Sequence, residues 1–171
     1  MRRHIGYLLY VLRHKWFVLK AGLHLKVPIM QLLLHDMSKF SWHEWSAYAK
    51  ANIDDDGYTK HVLKTPEYLA AWNHHQKHNP HHWQYWVLFN GHNTNFLEIP
   101  ERYLREMVAD WSAVSWSQLK QAKPAQVSRS WPNMTDALND AHQWYVAHTG
   151  IRLHPSTRNK LEQIFTEHGV Q

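Results

Sequence analysis

The sequence predicts an all-α fold, a single domain of about seven or eight helices over residues 1–171. Three observations carry this. Apolar residues recur at the three- and four-residue spacing of helices. Alternating strand patterns are nearly absent. Helix-starting pairs such as Thr65-Pro66 and Asn79-Pro80 punctuate the chain, with Gly150 and Gly169 behind its last two apolar runs.

The totals narrow the function classes. With 171 residues the chain is long enough for a substantial core. It has no cysteine, which excludes disulfides, thiolate metal sites and cysteine nucleophiles, and fits a reducing compartment. The net charge is +5, but the 19 Lys and Arg form no run of four, so direct nucleic-acid binding is disfavoured. The excess lies in 16 histidines and 10 tryptophans. Imidazole is the commonest protein metal ligand and titrates near neutrality.

In chain order, MRRHIGYLLYVL imitates a signal peptide, but Arg13, His14 and Lys15 interrupt it and no small-residue cleavage site follows. No apolar run approaches the length of a membrane span. A soluble, cytoplasmic protein with no membrane partner is expected. The first helix covers residues 4–26, with a stripe of Ile5, Leu8, Leu9, Leu12, Trp16, Leu19 and Leu23. A second opens at Pro28 and runs to about Lys39; a third, capped by Ser41, covers 42–52 before the DDDG turn at 54–57. A fourth runs from Thr65-Pro66 to about His78, and a fifth begins at Pro80. Gly91 to Asn95 is a loop, and Pro100 opens a helix to about Trp116. A connector at 119–132 precedes helices near 133–149 and 156–168.

Helical geometry sorts the histidines. On the first helix His14 shares an arc with Tyr7, Tyr10, Val18 and Ala21, opposite the leucine stripe, whereas His24 falls beside Arg13 and Lys20. A helix apolar on two faces is central to its domain. On the helix from Pro100, Asp110 falls inside an apolar arc with Tyr103, Met107 and Trp111, and Glu106 lies at its border. A core-facing carboxylate requires a cation, a metal or several donors. Residues 74–82 hold His74, His75, His78, His81 and His82, either converging at a corner between two helices or forming a solvated turn. One ion cannot take all five. The run LLLHDMSKF, residues 32–40, places His35, Asp36 and Lys39 at the end of an apolar segment, where burial requires partners.

A His-Asp pair alone carries little, since about one arises by chance at this composition. Its setting carries more. His14, then His35-Asp36, then the histidine cluster, then Asp110 follow the order H…HD…D. This order resembles the HD-domain superfamily of metal-dependent phosphohydrolases, an all-α fold. HDMSK is similar to that superfamily's H-D-x-G-K, with Ser38 where glycine is common, and His81-His82 resembles the extra histidines of two-metal members. HKWFV at 14, HDMSKF at 35, NPHHWQYW at 79 and EMVADW at 106 are similar to the HKxxV, HDxSKF, NPHHWxYW and EMVADW motifs of a family of small phage and bacterial proteins. The resemblance covers roughly residues 10–115, with the C-terminal helices, about 133–168, matched more loosely.

The resemblance implies a site. His14, His35, Asp36 and Asp110 would bind a first metal. Asp36 would bridge to a second, completed by His75 and His82, with His81 or His78 as substitutes. Lys39 and Asp36 would be the catalytic residues. Lys39 would also hold a substrate phosphate, with Arg13 or Lys15 as weaker candidates, and Trp83, with Trp86 or Trp111, would stack a base. The cofactor would be one or two divalent transition-metal ions: manganese, iron, cobalt, nickel or zinc. The expected activity is hydrolysis of a phosphate ester or anhydride, on a small anionic substrate such as a nucleotide. Two alternatives stand beside it: an HD-fold di-iron oxygenase, and a non-catalytic module of a phage that binds a nucleotide or host protein. A phage-encoded chain would act in the host cytoplasm, and an oligomer stays open.

Overall fold

In the computed structural model, which describes residues 1–119 and 133–170, the chain forms seven α-helices and one small hairpin. In order these are α1 (Arg2–His24), α2 (Ile29–Leu34), α3 (Trp42–Asn52), α4 (Pro66–His78), β1 (Val87–Phe89), β2 (Thr94–Phe96), α5 (Glu101–Leu119), α6 (Met134–Ala147) and α7 (Pro155–Glu167). The all-α expectation holds. The connector expected at 119–132 lies almost wholly outside the described residues.

Long helices α1 and α5 pack along each other; α1 contributes to two apolar cores and α5 to the larger of them. The larger joins Phe17, Val18 and Ala21 of α1 to Leu104, Val108 and Ala113 of α5 and to Leu138, Leu161 and Phe165 of α6 and α7. The smaller joins Tyr7 and Val11 of α1 to Tyr48, Ala49 and Ile53 of the α3 region and Ala71 of α4. His14 lies between the two sets along α1. Each large side chain so buried contributes about 1.5–3 kcal/mol, which holds the polar groups between the cores in a fixed frame.

Local chemistry sets the helix ends. The Thr65 hydroxyl accepts the Tyr68 N–H at 3.3 Å, and Pro66 occupies the first turn of α4. The Asn133 side chain accepts the Thr135 N–H, and His154 Nδ1 accepts the Ser156 N–H, starting α6 and α7. Ser41 occupies the N-cap of α3 but makes no side-chain capping bond.

The structure corrects three expectations. The second helix does not reach Lys39. It ends at Leu34; Asp36 takes a left-handed backbone at φ 58°, and Met37–Phe40 form a 3₁₀ turn. Aspartate tolerates this region better than most residues, so the break falls where the His-Asp pair requires it. No helix starts at Pro80. A turn closed by the His82 N–H on the Asn79 carbonyl leads to a 3₁₀ turn at Trp83–Trp86 and then the hairpin. Its strands pair Val87 with Phe96 and Phe89 with Thr94, around a loop with Gly91 at φ 77°. β-branched and aromatic residues favour this pairing, but three-residue strands are too short to show alternation in the sequence.

The third correction concerns α1. The leucine stripe does not face a core: Ile5, Leu8, Leu9, Leu12, Trp16 and Leu23 are exposed, Leu9 at 61% and Leu12 at 50%. Only the arc of Tyr7, His14, Val18 and Ala21 is buried. Two apolar faces do not make a helix central here, because the domain covers one of them.

Candidate metal centre

The long helices and two turns bring the chemistry together. His14 comes from α1, His35 and Asp36 from the break after α2, His75 from α4, His81 and His82 from the turn that replaces the expected helix, and Asp110 from α5. All seven are buried. Gly22 makes the placement of His35-Asp36 feasible. A Cβ there would strike the Leu32 side chain, so its absence lets α2 press against α1.

Two groups that share Asp36 could each hold a metal ion, and His35, His81 and Glu106 form a third such group. His14, His35, Asp36 and Asp110 each offer an atom within 4.8 Å of the others, as do Asp36, His75, His81 and His82. Asp36 belongs to both, and its two oxygens divide between them. Oδ2 lies 3.3 Å from His14 Nε2 and 3.2 Å from His35 Nε2. Oδ1 lies 3.2 Å from His75 Nε2 and 3.4 Å from His81 Nε2. Asp110 Oδ1 closes the first group at 3.0 Å from His14 Nε2.

The donor set fits a cation on the structure's own terms. Nε2 of His14, His35, His81 and His82, together with Asp36 Oδ1, are buried without a hydrogen bond. Each such atom costs about 1–3 kcal/mol when left unpaired. Five of them converging is a poor arrangement for a plain core and a good one for a metal.

The opposite ring nitrogens of His35, His75 and His81 are held. Glu106 Oε1 lies 2.9 Å from His35 Nδ1 and 3.4 Å from His81 Nδ1. Glu44 Oε2 lies 2.9 Å from His75 Nδ1, and its other oxygen is 2.8 Å from His74 Nδ1. A carboxylate on Nδ1 fixes the ring and leaves Nε2 free to point at an ion. Ser38 Oγ also approaches His75 Nδ1, at 3.0 Å, and accepts from Asn79 Nδ2 at 2.7 Å. Ser38 thus helps to seat an imidazole.

Charge and burial compete throughout. Burial disfavours a charged His35 ring, but the Asp36 charge and contacts with Asp110 and Glu106 outweigh it and raise its pKa well above the usual imidazole value. Burial would raise the Asp36 carboxyl, but His35, Lys39 and His75 hold it well below the carboxylate range. Glu106 is likewise pulled down to about 2, against its burial, by His35 and His81. His82 is pushed well below the usual imidazole value by burial and by His81 and His75, which keeps it neutral and ready to ligate. Lys39 Nζ lies 2.5 Å from Asp36 Oδ2; despite burial, that neighbour raises its pKa and keeps it charged.

Two clefts open on this centre. The first, of about 300 Å³, is lined by Tyr7, Tyr10, Lys39, Tyr48 and Tyr68. The second, of about 430 Å³, is lined by Trp72, Trp83, Trp111 and Trp144. His82 and Asp110 border both.

All six residues expected at the metals, together with Lys39 and Trp83, therefore lie at the clusters or their clefts. His81 joins the second group alongside His75 and His82. His78 is exposed and its Nδ1 lies 2.7 Å from the His74 carbonyl, while His74 is turned to Glu44. Sequence reasoning missed Glu44, and placed Glu106 only at the border of an apolar arc. The four-residue step from Glu106 to Asp110 on α5 was a readable signal for the latter. Glu44 had none.

A family model described as a family of unknown function, DUF5662, matches residues 3–167. The chain belongs to the DUF5662 family. No curated protein and no solved structure matches the chain. The match takes in both ligand groups, both carboxylates behind them and all of α7, the last helix among the described residues of this DUF5662 chain.

Proposed function

We propose that this DUF5662 protein is a metal-dependent phosphohydrolase of the HD-domain kind, acting on a nucleotide. The observation that carries the reading is Asp36, whose two oxygens serve two imidazole groups while Lys39 stands against one of them. The order H…HD…D in the sequence supports it.

Divalent ions held in the two groups would polarise a phosphoryl oxygen and bring the pKa of a water toward neutrality. The chain's own residues supply the rest. Asp36 and Asp110 offset only part of the ions' charge, so the centre attracts an anion. Lys39, held in its charged form, contacts a phosphate oxygen from the tyrosine cleft. The Tyr7 and Tyr48 hydroxyls are buried without partners beside it, and burial raises their pKa values, so they stay protonated donors. The tryptophan cleft offers flat apolar faces to a base. Because the two clefts meet at His82 and Asp110, a ligand with a phosphate at one end and a ring at the other fits across the centre.

Elemental analysis of the purified protein, wild type beside His35→Ala, tests this together with phosphate release from a panel of nucleotides. One or two manganese, cobalt, nickel or zinc ions per chain, lost in the variant along with phosphate release, are expected. Redox-active iron with an optical band and no phosphate release would move the assignment to an oxygenase. No metal in either protein, even after manganese is added, would leave a binding module.

A further inference from the structure

We infer that the outer face of α1 and α2 is a docking surface for an anionic lipid bilayer, on which the protein lies without crossing. Among the described residues no helix is long and apolar enough to cross a membrane; resting on one sets a different requirement. It takes a helix with a broad apolar face, aromatic residues on that face and basic residues at its borders.

All three are present. Apart from Leu19, which packs against the larger core, the leucine stripe of α1 is exposed, with Trp16 at 50%. On α2 it is extended by Ile29, Met30, Leu33 and Leu34, the last exposed at 64%. A crevice of about 200 Å³ joins the two helices, lined by Leu12, Lys15, Trp16, Leu19, Leu32 and Leu33. Apolar surface this extensive marks an interaction site. A narrow apolar crevice of this kind suits an acyl chain, while the Lys15 ammonium donates to the Leu33 and His35 carbonyls beside it.

Charge selects the partner. Six of the 19 Lys and Arg, and none of the 14 Asp and Glu, precede Asp36. The rest of the chain carries 13 bases against those 14 acids, so the excess of positive charge comes from this segment. Arg2 and Arg3 are paired with Asp56 and Asp55. The stripe is bordered on α1 by Arg13 and Lys20 on one side and Lys15 on the other, and Lys20 sits 5.3 Å over the Trp16 ring. A second copy would bring the same positive border against this one, whereas an anionic surface complements it. The His14 face of α1 points the opposite way, so a docked protein keeps its tyrosine cleft toward water.

The test is co-sedimentation of the full chain with vesicles of phosphatidylglycerol mixed with phosphatidylcholine, and with phosphatidylcholine alone. Sedimentation with the anionic vesicles only is expected, falling as salt rises. Leu9→Glu with Leu34→Glu, both at exposed positions, should abolish it without changing the circular dichroism spectrum. Arg13→Gln should weaken it about fivefold. Protein left in the supernatant with both vesicles at low salt overturns the proposal, as does binding that the double variant retains. A dimer in light scattering that the double variant dissociates, with no vesicle binding, would reassign the face to self-association. Metal content enters neither outcome, so this result stands apart from the phosphohydrolase reading.

Discussion

The two ligand groups share Asp36 but are built differently. The first takes His14 from the 23-residue α1 and Asp110 from the 19-residue α5, the two long helices joined in the larger core. The second takes His75 from the end of α4 and His81 and His82 from an irregular turn. The first offers two imidazoles and two carboxylates; the second offers three imidazoles and the shared carboxylate. Carboxylate suits harder cations such as manganese, and imidazole suits zinc, iron and nickel. The difference teaches that one residue can join a rigid, harder site to a more irregular, softer one, and that mutations should separate them.

Breaking the link has the largest effect. Asp36→Asn keeps the shape of the side chain and removes its charge from both groups. Metal content should fall to near zero, phosphate release should vanish, and the melting temperature should fall to that of chelator-treated wild type. One ion retained per chain would show that the groups are independent. Lys39→Ala comes next. It should leave both ions in place by elemental analysis and lower turnover by about 10²–10³-fold, the usual cost of one preorganised charge donor.

The carboxylates behind the imidazoles sharpen the contrast. Glu106 touches a ring in each group, whereas Glu44 touches only His75 of the second. Glu106→Gln should weaken both ions and Glu44→Gln only one, each by about 10–100-fold in a metal titration. Acid titration of the metal-free protein adds a sign. Glu106 is depressed from 4.5 to about 2 in the folded chain, so its stabilisation is complete above 4.5 and is lost as pH falls toward 2. Urea melts should show that limb, and Glu106→Gln should flatten it. The smallest effect belongs to His24→Ala: His24 is exposed on α1, away from both groups, and its removal should leave metal content and turnover unchanged.

Much of this arrangement was legible in the sequence, for identifiable reasons. Helical spacing turned His14 and Asp110 inward because α1 and α5 are long and regular enough for a 100° step to hold. The pair at His35-Asp36 was legible as chemistry but not as geometry, since a left-handed residue leaves no mark in apolar periodicity. His81 is only a substitute in the sequence reading because nothing in the sequence chooses among the clustered histidines; the turn that forms in place of a helix brings His81 to Asp36 beside His75 and His82. The α1 stripe misled for another reason. Periodicity reports that a face is apolar, and only the packing of α3, α4 and α5 decides which of two such faces the domain covers.

The left-handed backbone at Asp36 also governs how the position will behave in a mutational library. Most replacements there would suffer twice, once for the missing carboxylate and once for a conformation that branched or bulky residues resist. Their phenotypes would mix misfolding with lost chemistry. Asparagine and glycine, which enter this region of backbone space most readily, are the two substitutions whose defects can be ascribed to the side chain alone.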